Sequence, residues 1–530
     1  MEMDPLIAAE LAKHDDGVPF RAKSGHVHST WAKTFLSLPE LYFQPETLPE
    51  IEKIIQLAGK CRRRITTTGC GHSPSSITCT SSWLVNLDKF NQILSVDKEA
   101  CVVVMQSGIR LYQLGEELDK HGLAMPSLGS INQQSLAGAI STGTHGSSMY
   151  HGLMSENVLA LRLTTADGST RYCSPEEDPE LFRAALLSLG ALGIITEITF
   201  RAVPAFKLQW RQIIDADNKV FDLWDKGLWT DTEFVRVWWY PYTRRAVRWT
   251  ASQTDEAPFD PPPSYYDNAL GYYVYHNLLY LSMWVPRITP WIEWFVYGMQ
   301  FGFRNGTATE GVQPSRKALL MNCLYSQYVN EWAIPLDKGP EALRRLSSWF
   351  NRLPTTDPDY VPHGIPFPAD GIWAHAPVEV RVANTTPSNP RCASPDTSRP
   401  LLDPTPRDAP ALYLNATLYR PYHTDPACRA RYYEAFEWLM RDLGGRPHWA
   451  KNFETEATEL EQMYGDDLRT WRGVRDALDP EGLFVGPWHR RVVLGGGEDA
   501  ALPLEEHDLT PRRDFSRGVH FEGVVGTTTR

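Results

Sequence analysis

The residues of this sequence that could do chemistry fall into four short segments. Residues 68–74 read "TGCGHSP", and residues 129–146 are rich in glycine, serine and threonine. A glutamate and an arginine alternate in "PVEVRVA", residues 377–383, and "RPHWAK", residues 446–451, contains a histidine and ends in a lysine. Glycine loops can offer backbone N–H groups to an anion, an imidazole can act as a nucleophile, and cations can stabilise a developing oxyanion.

Three interpretations of the 68–74 segment are open from its residues alone: a nucleotide loop, a metal or redox site, or a tight turn with a hydrogen-bonded histidine. The Rossmann pattern G-x-G-x-x-G fails here, because Pro74 stands where the third glycine would be. The sequence contains no P-loop lysine, G-x-S-x-G elbow or H-E-x-x-H motif. None of its eight cysteines forms a C-x-x-C pair, so we expect no zinc or thioredoxin-type site and no bound metal.

The 129–146 segment is the natural partner of the first loop. It interleaves the hydroxyls of Ser130, Ser135, Thr142 and Thr144 with small residues. Two loops of this composition in one domain can wrap a pyrophosphate from both sides through backbone amides. A dinucleotide would then lie between them, with His72 facing one of its ends.

The elements around these segments indicate how they are positioned. "ELYFQP" predicts a strand, residues 46–61 predict an amphipathic helix, and "RRITTT" predicts a second strand, which together form a β-α-β unit. The 68–74 loop therefore follows the carboxyl end of a strand, where ligands of open α/β sheets bind. Strand alternation in "PVEVRVA" places Glu379 and Arg381 on one face, and a purely structural ion pair is the simpler explanation of that pairing.

Length and charge limit the class of protein. A chain of 530 residues is long enough for two or three domains. A net charge of −12 argues against nucleic acid as the main partner, because binding phosphates requires a basic face. The N-terminal residues resemble neither a secretory signal nor an arginine-rich transit peptide, so we expect an intracellular protein with free thiols.

Residues 268–286 contain no Asp, Glu, Lys or Arg. Their number approaches that of a membrane-spanning helix, but Asn, His and four tyrosines interrupt the apolar run. We predict a buried helix pair in this region. A spanning helix and a patch at a membrane surface or an oligomer contact are the alternatives.

Taken in order, "GCGHSP", "SLAGAISTGTHG" and "LGALGIITEITF" resemble the vanillyl-alcohol-oxidase class of FAD proteins. "WWYPYT", "GGRPHWAK" and "WHRR" resemble, within that class, the aldonolactone oxidoreductases of the fungal D-arabinono-lactone type. The resemblance runs from about residue 30 to about residue 493. It implies a two-domain α+β fold of the PCMH type: an FAD-binding domain over 33–205, an antiparallel-sheet cap domain over 206–440, a segment 441–493 that returns to the flavin, and a flexible tail over 494–530.

The resemblance also implies which residues hold FAD. His72 would bond covalently to the flavin 8α-methyl group, as the single link, because no cysteine lies between residues 102 and 172. Gly129 would lie beside the reactive face and leave room for O₂, as in the oxidases, unless it only serves a turn. Ile195 would contact the adenine or ribose. The other implied residues are Thr67, Thr68, Gly69, Cys70, Gly71 and Ser73 in the first loop, and Ser130, Ser135, Gly138, Thr142 and Gly146 in the second.

The chemistry implied by the resemblance is oxidation of a D-arabinono-, L-gulono- or L-galactono-1,4-lactone. Hydride would pass from C2 to flavin N5, O₂ would become H₂O₂, and the product would be of the ascorbate type. Arg381 and Lys451 would stabilise charge on the C2 oxygen, and Glu379 would orient Arg381. Lys451 or His448 would take the hydroxyl proton.

Three alternatives stay open beside this interpretation. The first is an aldonolactone dehydrogenase that passes electrons to a cytochrome or quinone. The second is a polyol or sugar oxidase on the same scaffold, and the third is a membrane-associated scaffold protein without activity. The aromatic run over residues 268–303 leaves association with a membrane surface open, and the resemblance implies a mitochondrial or microsomal membrane, with the mitochondrial one as our expectation.

Overall fold

The computed structural model describes residues 4–13, 16–264, 268–321, 323, 325–387, 389 and 398–495. From residue 496 onward, the predicted tail lies outside these residues. The first part of the chain forms a four-stranded and a five-stranded sheet, beside short two-stranded pairings. Its strands β1 to β12 are, in chain order, Ala22–Lys23, His28–Ser29, Leu36–Ser37, Leu41–Phe43, Ile65–Thr68, Trp83–Asn86, Ile93–Asp97, Val102–Gln106, Leu123–Ala124, Val158–Thr164, Thr170–Cys173 and Ile194–Arg201. Its helices α1 to α5 are Pro5–Ala12, Leu48–Lys60, Leu111–Lys120, Leu136–Ser141 and Pro179–Ala185.

The first sheet has the strand order β1-β4-β6-β5, with β4, β6 and β5 parallel. The predicted β-α-β unit is present as β4, α2 and β5, but β6 lies between its two strands. Helix α2 begins after Thr47, whose side chain accepts a hydrogen bond from the Glu50 N–H, and it buries Ile51, Ile54 and Ile55. Strand β5 ends at Thr68, directly before the first glycine loop.

The second sheet is antiparallel, in the order β11-β10-β12-β8-β7. The predicted turn at Asp167 and Gly168 joins β10 to β11, and Gly168 has a φ of +80°, which favours glycine. Leu161, Leu163 and Ile198 from this sheet are buried in one core with α4 and α5. The second glycine-rich segment therefore packs on that core through α4.

The second part of the chain is built on one eight-stranded antiparallel sheet in the order β17-β14-β16-β15-β19-β20-β18-β21. With the two smaller sheets, it confirms the predicted α+β class and the antiparallel-sheet cap. Strands β13 to β21 are Val203–Pro204, Lys207–Ala216, Phe234–Tyr240, Arg245–Thr254, Thr307–Pro314, Gln327–Pro335, Val378–Ala383, Ala411–Tyr419 and Arg446–Pro447. Helices α6 to α14 are Asn218–Leu223, Ala269–Trp284, Thr289–Phe301, Ser315–Ala318, Gly339–Asn351, Arg429–Asp442, Ala457–Tyr464, Asp466–Leu478 and Pro487–His489.

The two faces of the eight-stranded sheet have different roles. On one face Val237, Val380 and Leu414 pack into a core with α10 and α11. Because side chains alternate along a strand, the residues between them point to the other face. One row on that face crosses five neighbouring strands and consists of Trp249, Arg236, Arg381, Tyr413 and Ala333.

The chain after β21 packs back against the first part. Leu468, Trp471 and Trp488 share a core with Leu181 and Phe182 of α5. The His489 ring nitrogen Nε2 lies 2.8 Å from the Leu189 carbonyl oxygen. The C-terminal helices therefore lie beside the glycine loops of the first part.

The helix pair predicted within residues 268–286 extends over a longer range, because α7 occupies that region alone and its partner α8 lies beyond it at Thr289–Phe301. The prediction that the pair is buried is right for one face, where Tyr275, Leu279 and Ile292 pack together, and wrong for the other. Trp284 is 74% exposed, and Trp291 and Trp294 are each 51% exposed. Within the described residues, every helix is too short or too polar to cross a membrane.

Candidate active site

The first glycine loop favours glycine at two positions. A Cβ atom on Gly69 would lie 2.5 Å from the Ser135 hydroxyl oxygen, so the two glycine-rich segments touch here. Gly71 has a φ of +63°, a left-handed conformation that glycine adopts without strain. Asn86 donates a side-chain hydrogen bond of 3.0 Å to the Gly69 carbonyl. The loop is thus held in one tight shape at the end of β5.

The second segment begins with a loop and continues into the short helix α4. Ser135 caps this helix by accepting a hydrogen bond of 3.3 Å from the Gly138 N–H, and Thr142 donates one of 3.0 Å to the Gly138 carbonyl. A third turn, which we did not predict as part of the site, follows at Gly190 and Gly193. Both residues have positive φ, +75° and +135°.

These three loops surround a cleft of about 910 Å³, counted with its open mouth. Predicted residues that line it are Thr67, Thr68, Gly69, Cys70, Gly71, His72, Ser73, Ser135, Gly138, Thr142 and Ile195. Predicted residues outside its lining are Gly129, Ser130 and Gly146. Residues of the lining that sequence reasoning missed include Gln134, Ser141, Ser188, Gly190, Phe484 and His489.

The lining of this cleft fits the pyrophosphate of a dinucleotide. Among the described residues that line it, none is a lysine or arginine, so an anion would be held by backbone N–H groups and hydroxyls. Gly69 and Gly71 allow the backbone itself to approach, because no side chain covers it.

His72 lies at the edge of the cleft with its imidazole stacked on the Trp31 indole, at 4.6 Å between ring centroids and an interplanar angle of 18°. Burial lowers the pKa of His72 to about 4, because desolvation disfavours the charged ring. The imidazole is therefore neutral at physiological pH, which is the form that can act as a nucleophile.

The predicted chemical residues meet around a carboxylate that we did not predict, Glu331 on β18. The Arg381 guanidinium donates a hydrogen bond to Glu331 Oε1. The Lys451 ammonium lies 3.2 Å from the other oxygen, Oε2. Glu379 Oε2 lies 3.5 Å from Arg381 Nε. The Glu379–Arg381 pair is thus part of a larger, mostly buried cluster rather than an isolated surface ion pair.

The charges in this cluster are strongly coupled. Burial would raise the pKa of Glu331, but Arg381 and Lys451 hold it well below its usual range. Burial would likewise lower the pKa of Arg381, but Glu331 and Glu379 raise it above its ordinary value. Glu379 Oε1 is buried without a hydrogen-bond partner in the described part of the chain. A ligand hydroxyl could satisfy that oxygen.

Two neutral histidines lie against the same carboxylate. His145 Nε2 lies 3.5 Å from Glu331 Oε1, and the His145 ring stacks on Tyr413 at 3.5 Å. Burial lowers the pKa of His145 to about 4 and that of His448 well below its usual value. Atoms of His145, Glu331 and His448 lie within 4.8 Å of one another, close enough to bind a metal ion. The two cations on Glu331 oppose that role, because they already neutralise its charge.

The segment 144–148 joins this cluster to the cleft. Ser147 donates a hydrogen bond to the Val235 carbonyl and accepts one of 3.2 Å from the Val382 N–H. A Cβ atom on Gly129 would lie 3.0 Å from the Thr144 methyl carbon and 3.5 Å from the His145 carbonyl oxygen. Gly129 therefore lies next to His145, on the side of the second loop that faces the Glu331 cluster, and not in the cleft lining.

A second link comes from the residue after Lys451. The Asn452 side chain donates a hydrogen bond of 3.0 Å to the Pro74 carbonyl, at the end of the first loop. Ser130 contributes its carbonyl to a hydrogen bond of 2.8 Å from the Met321 N–H. The loop of His72 and the segment after β21 that carries Lys451 are thus directly connected.

Sequence reasoning missed four members of the cluster: Glu331, His145, Tyr413 and Arg236. Glu331 had a usable signal, since a lone carboxylate in the otherwise uncharged strand "QYVNEWAIP" is out of place unless it is paired. Arg236 is buried in "VRVWWY", directly opposite Arg381 in the sheet. Two like charges side by side are unfavourable, so this pair also marks a functional position.

Comparisons with known proteins match both parts of the chain. The D-arabinono-1,4-lactone oxidase family matches residues 198–492, and an FAD-binding domain family matches residues 39–174. A protein from Neurospora crassa is 61% identical over 97% of this chain and 95% of its own. The D-arabinono-1,4-lactone oxidase of Yarrowia lipolytica is 41% identical over 88% of this chain and 96% of its own. That of Saccharomyces cerevisiae is 37% identical over 90% and 98%.

Solved structures show the same fold at low sequence identity. Cholesterol oxidase from Brevibacterium sterolicum superposes with a TM-score of 0.73 at 15% identity, over 93% of this chain and 99% of that one. A solvent-stable cholesterol oxidase gives 0.71 at 17% identity, over 89% and 98%. Their likeness confirms the predicted two-part FAD-binding fold and says nothing about the substrate. By its family match and by relatives that align with almost its full length, the chain belongs to the D-arabinono-1,4-lactone oxidase family of FAD-dependent oxidoreductases.

Proposed function

We propose that this chain oxidises a sugar 1,4-lactone at C2 with FAD and O₂, with D-arabinono-1,4-lactone as the first substrate to test. The observation that carries the proposal is the placement of Arg381 and Lys451 on the two oxygens of Glu331. This arrangement holds two cations side by side at the junction with the FAD-binding part. The names of the family and of the Yarrowia and Saccharomyces relatives support the choice of substrate.

Bound FAD supplies the acceptor for the hydrogen and the two electrons that C2 loses. Arg381 and Lys451 stabilise negative charge on the C2 oxygen as its proton leaves, in a site from which water is largely excluded. Glu379 orients Arg381 and accepts a hydrogen bond from a sugar hydroxyl through its free Oε1. We assign uptake of the hydroxyl proton to His448, whose neutral imidazole adjoins Glu331, because the Lys451 ammonium has no lone pair to accept it. The oxidised product would be an ascorbate-type enediol.

The test is lactone-dependent oxygen uptake and H₂O₂ formation by the purified protein. D-arabinono-, L-gulono- and L-galactono-1,4-lactone would be compared with simple polyols. Arg381→Lys keeps the charge but loses the paired N–H donors of the guanidinium, and we expect kcat to fall about 100-fold. Activity of Arg381→Lys within a few-fold of the wild type would end this role for Arg381, and turnover of polyols in preference to lactones would contradict the substrate class.

We also propose that His72 carries FAD covalently. Its support is the position of a neutral imidazole at the edge of the cleft. Yellow colour that stays in the acid-precipitated wild-type protein but is released from His72→Ala is the expected result. Colour that is released from both proteins would mean that FAD binds without this bond.

A membrane-surface location through α7 and α8 is the last part of the proposal. The exposed face presents Trp284, Trp291 and Trp294, and tryptophan favours the boundary between lipid and water. Arg287 and Arg304 are exposed at the ends of this face, whereas Glu293 is buried, so the patch is positively charged in a protein of net charge −12. That charge suits the anionic surface of a membrane. Cell fractionation would test the mitochondrial location.

A further inference from the structure

We infer that Trp31 is a positioning residue that holds the His72 imidazole for covalent attachment of the flavin. Arg420, from the second part of the chain, anchors the segment that carries Trp31. The inference rests on the proposed His72 bond. Within the first loop, the imidazole is hydrogen-bonded to the backbone of His72 itself, but that contact leaves the plane of the ring without a neighbour to pack on. The stack on Trp31 provides the missing constraint.

The segment 30–34 is hydrogen-bonded to the His72 loop on both sides of His72. The Trp31 N–H donates a hydrogen bond of 2.7 Å to the Gly71 carbonyl, the residue before His72. The Thr34 hydroxyl donates one of 2.5 Å to the Pro74 carbonyl, two residues after it. Between these two contacts the indole covers the imidazole. The segment therefore fixes the backbone and the ring of His72 together.

This segment is itself tied to the second part of the chain. The Arg420 guanidinium donates hydrogen bonds of 3.1 Å and 2.8 Å to the carbonyls of Ala32 and Lys33. The Ser326 hydroxyl donates a further one of 2.5 Å to Ala32. Arg420 is buried and paired with Asp425 at 2.6 Å. Because three hydrogen bonds from the second part of the chain converge on one turn, the position of Trp31 depends on how that part packs against the first.

The indole also keeps the imidazole in its reactive form. Removing the ring would expose His72 to water and raise its pKa toward the ordinary value, since burial is the main cause of its lowered pKa. A protonated imidazole has no free lone pair for attack. Loss of Trp31 would thus slow attachment in two ways. The imidazole would be less well oriented toward the flavin, and a smaller fraction of it would be neutral below about pH 7.

The attachment step balances with the oxidant already named. One bond forms between a His72 ring nitrogen and the 8α carbon of the flavin, and one C–H bond of that carbon breaks. The imidazole N–H proton and the C–H proton are released. The two electrons of the broken bond stay with the isoalloxazine ring until O₂ takes them with two protons as H₂O₂. No further co-reactant is required.

The test compares Trp31→Ala with Trp31→Phe, which keeps an aromatic ring. For each protein, total FAD is measured by absorbance and covalent FAD by intact mass and by colour in the acid precipitate. We expect Trp31→Ala to bind FAD but to attach it at least tenfold more slowly, most clearly below pH 7, and Trp31→Phe to resemble the wild type. Full covalent loading of Trp31→Ala at the wild-type rate would overturn the inference.

Arg420→Gln is the second variant, because it loosens the anchor without touching either ring. We expect an intermediate rate of attachment, and it decides the question if Trp31→Ala does not fold. Wild-type loading in a folded Arg420→Gln would refute the anchoring role. A wild type that holds FAD without any covalent bond would instead refute the proposed His72 link, so the two failures are distinguishable.

Discussion

Glu331 Oε2 lies 3.2 Å from Lys451 Nζ, while its other oxygen accepts a hydrogen bond from Arg381. One buried carboxylate from β18 thus fixes the distance between two cations that come from β19 and from the segment after β21. Neither cation could be held in this mostly dry site alone, because an unpaired buried charge is strongly unfavourable. Glu331 is therefore the organising residue of the cluster.

Replacing Glu331 should damage both stability and catalysis. Glu331→Ala leaves two buried cations without a partner, and we expect it to lower the free energy of unfolding by about 3–5 kcal/mol. Glu331→Gln should fold better and lower kcat/KM about 100-fold. Glu437→Gln is the control, since Glu437 is buried and hydrogen-bonded to Asn330 on the opposite side of β18. Equal activity of Glu331→Gln and Glu437→Gln would contradict the organising role.

Gly69→Ala should weaken FAD binding. The added Cβ would lie 2.5 Å from the Ser135 hydroxyl oxygen, so the two loops must move apart. Overpacking of this kind costs about 1–3 kcal/mol, which corresponds to a loss of FAD affinity of about 5- to 150-fold. Gly473→Ala, in an open position on α13, should leave FAD binding unchanged. Titration of flavin-free protein with FAD measures both, and equal affinities would show that the loop contact is irrelevant to the cofactor.

Gly129→Ala should lower reactivity with O₂ about tenfold while lactone still bleaches the flavin absorbance. The structure offers a second cause for any loss, because the new Cβ would lie 3.0 Å from the Thr144 methyl carbon. The double variant with Thr144→Ser removes that methyl and keeps the hydroxyl that accepts a hydrogen bond from Gln134. Stopped-flow measurements separate the two half-reactions. Slow oxidation in the double variant supports control of O₂ access; full recovery would mean that steric strain alone caused the loss.

Glu293 should make the protein less stable as pH rises. Burial raises the pKa of Glu293 to about 8, so between about pH 5 and pH 8 the folded state binds a proton that the unfolded state has lost. Stability then falls with increasing pH, by up to about 1.4 kcal/mol per pH unit. Glu293→Gln should flatten this dependence in urea unfolding from pH 5 to pH 8. Exposed Glu99→Gln should leave it as in the wild type, and an unchanged slope in Glu293→Gln would refute the assignment.

The exposed tryptophans should bind the chain to lipid. We expect the wild type to float with vesicles of phosphatidylcholine and phosphatidylserine, and to float less with phosphatidylcholine alone because Arg287 and Arg304 lose their partners. Trp284→Ser, Trp291→Ser and Trp294→Ser combined should abolish flotation. Tyr112→Ser with Tyr172→Ser, which changes two exposed rings outside the patch, is the control. A wild type that stays unbound and forms a tryptophan-dependent dimer would identify the patch as an oligomer contact.

Local features of the site were predictable because they depend on neighbours along the chain. The tight turn at Gly71 requires a positive φ, and it stands beside His72 in the sequence. Glu379 and Arg381 share a face because strands alternate. Helical structure within 268–286 was predictable for the same reason, but the exposed face of the α7 and α8 pair was not, since exposure depends on what the rest of the fold leaves uncovered.

The sequence by itself determined the glycine loops, the strand alternation and the family resemblance that named His72, Arg381 and Lys451. Only the tertiary structure decided that Glu331 lies between two of these residues and that Trp31 covers the third. Glu331 is 50 residues from Arg381 and 120 from Lys451 along the chain, and their meeting depends on the order and register of β18, β20 and β19. Strand register is fixed by burial of a whole face and not by any pair of residues. A local sequence pattern therefore cannot predict which distant charged residue will complete a buried cluster.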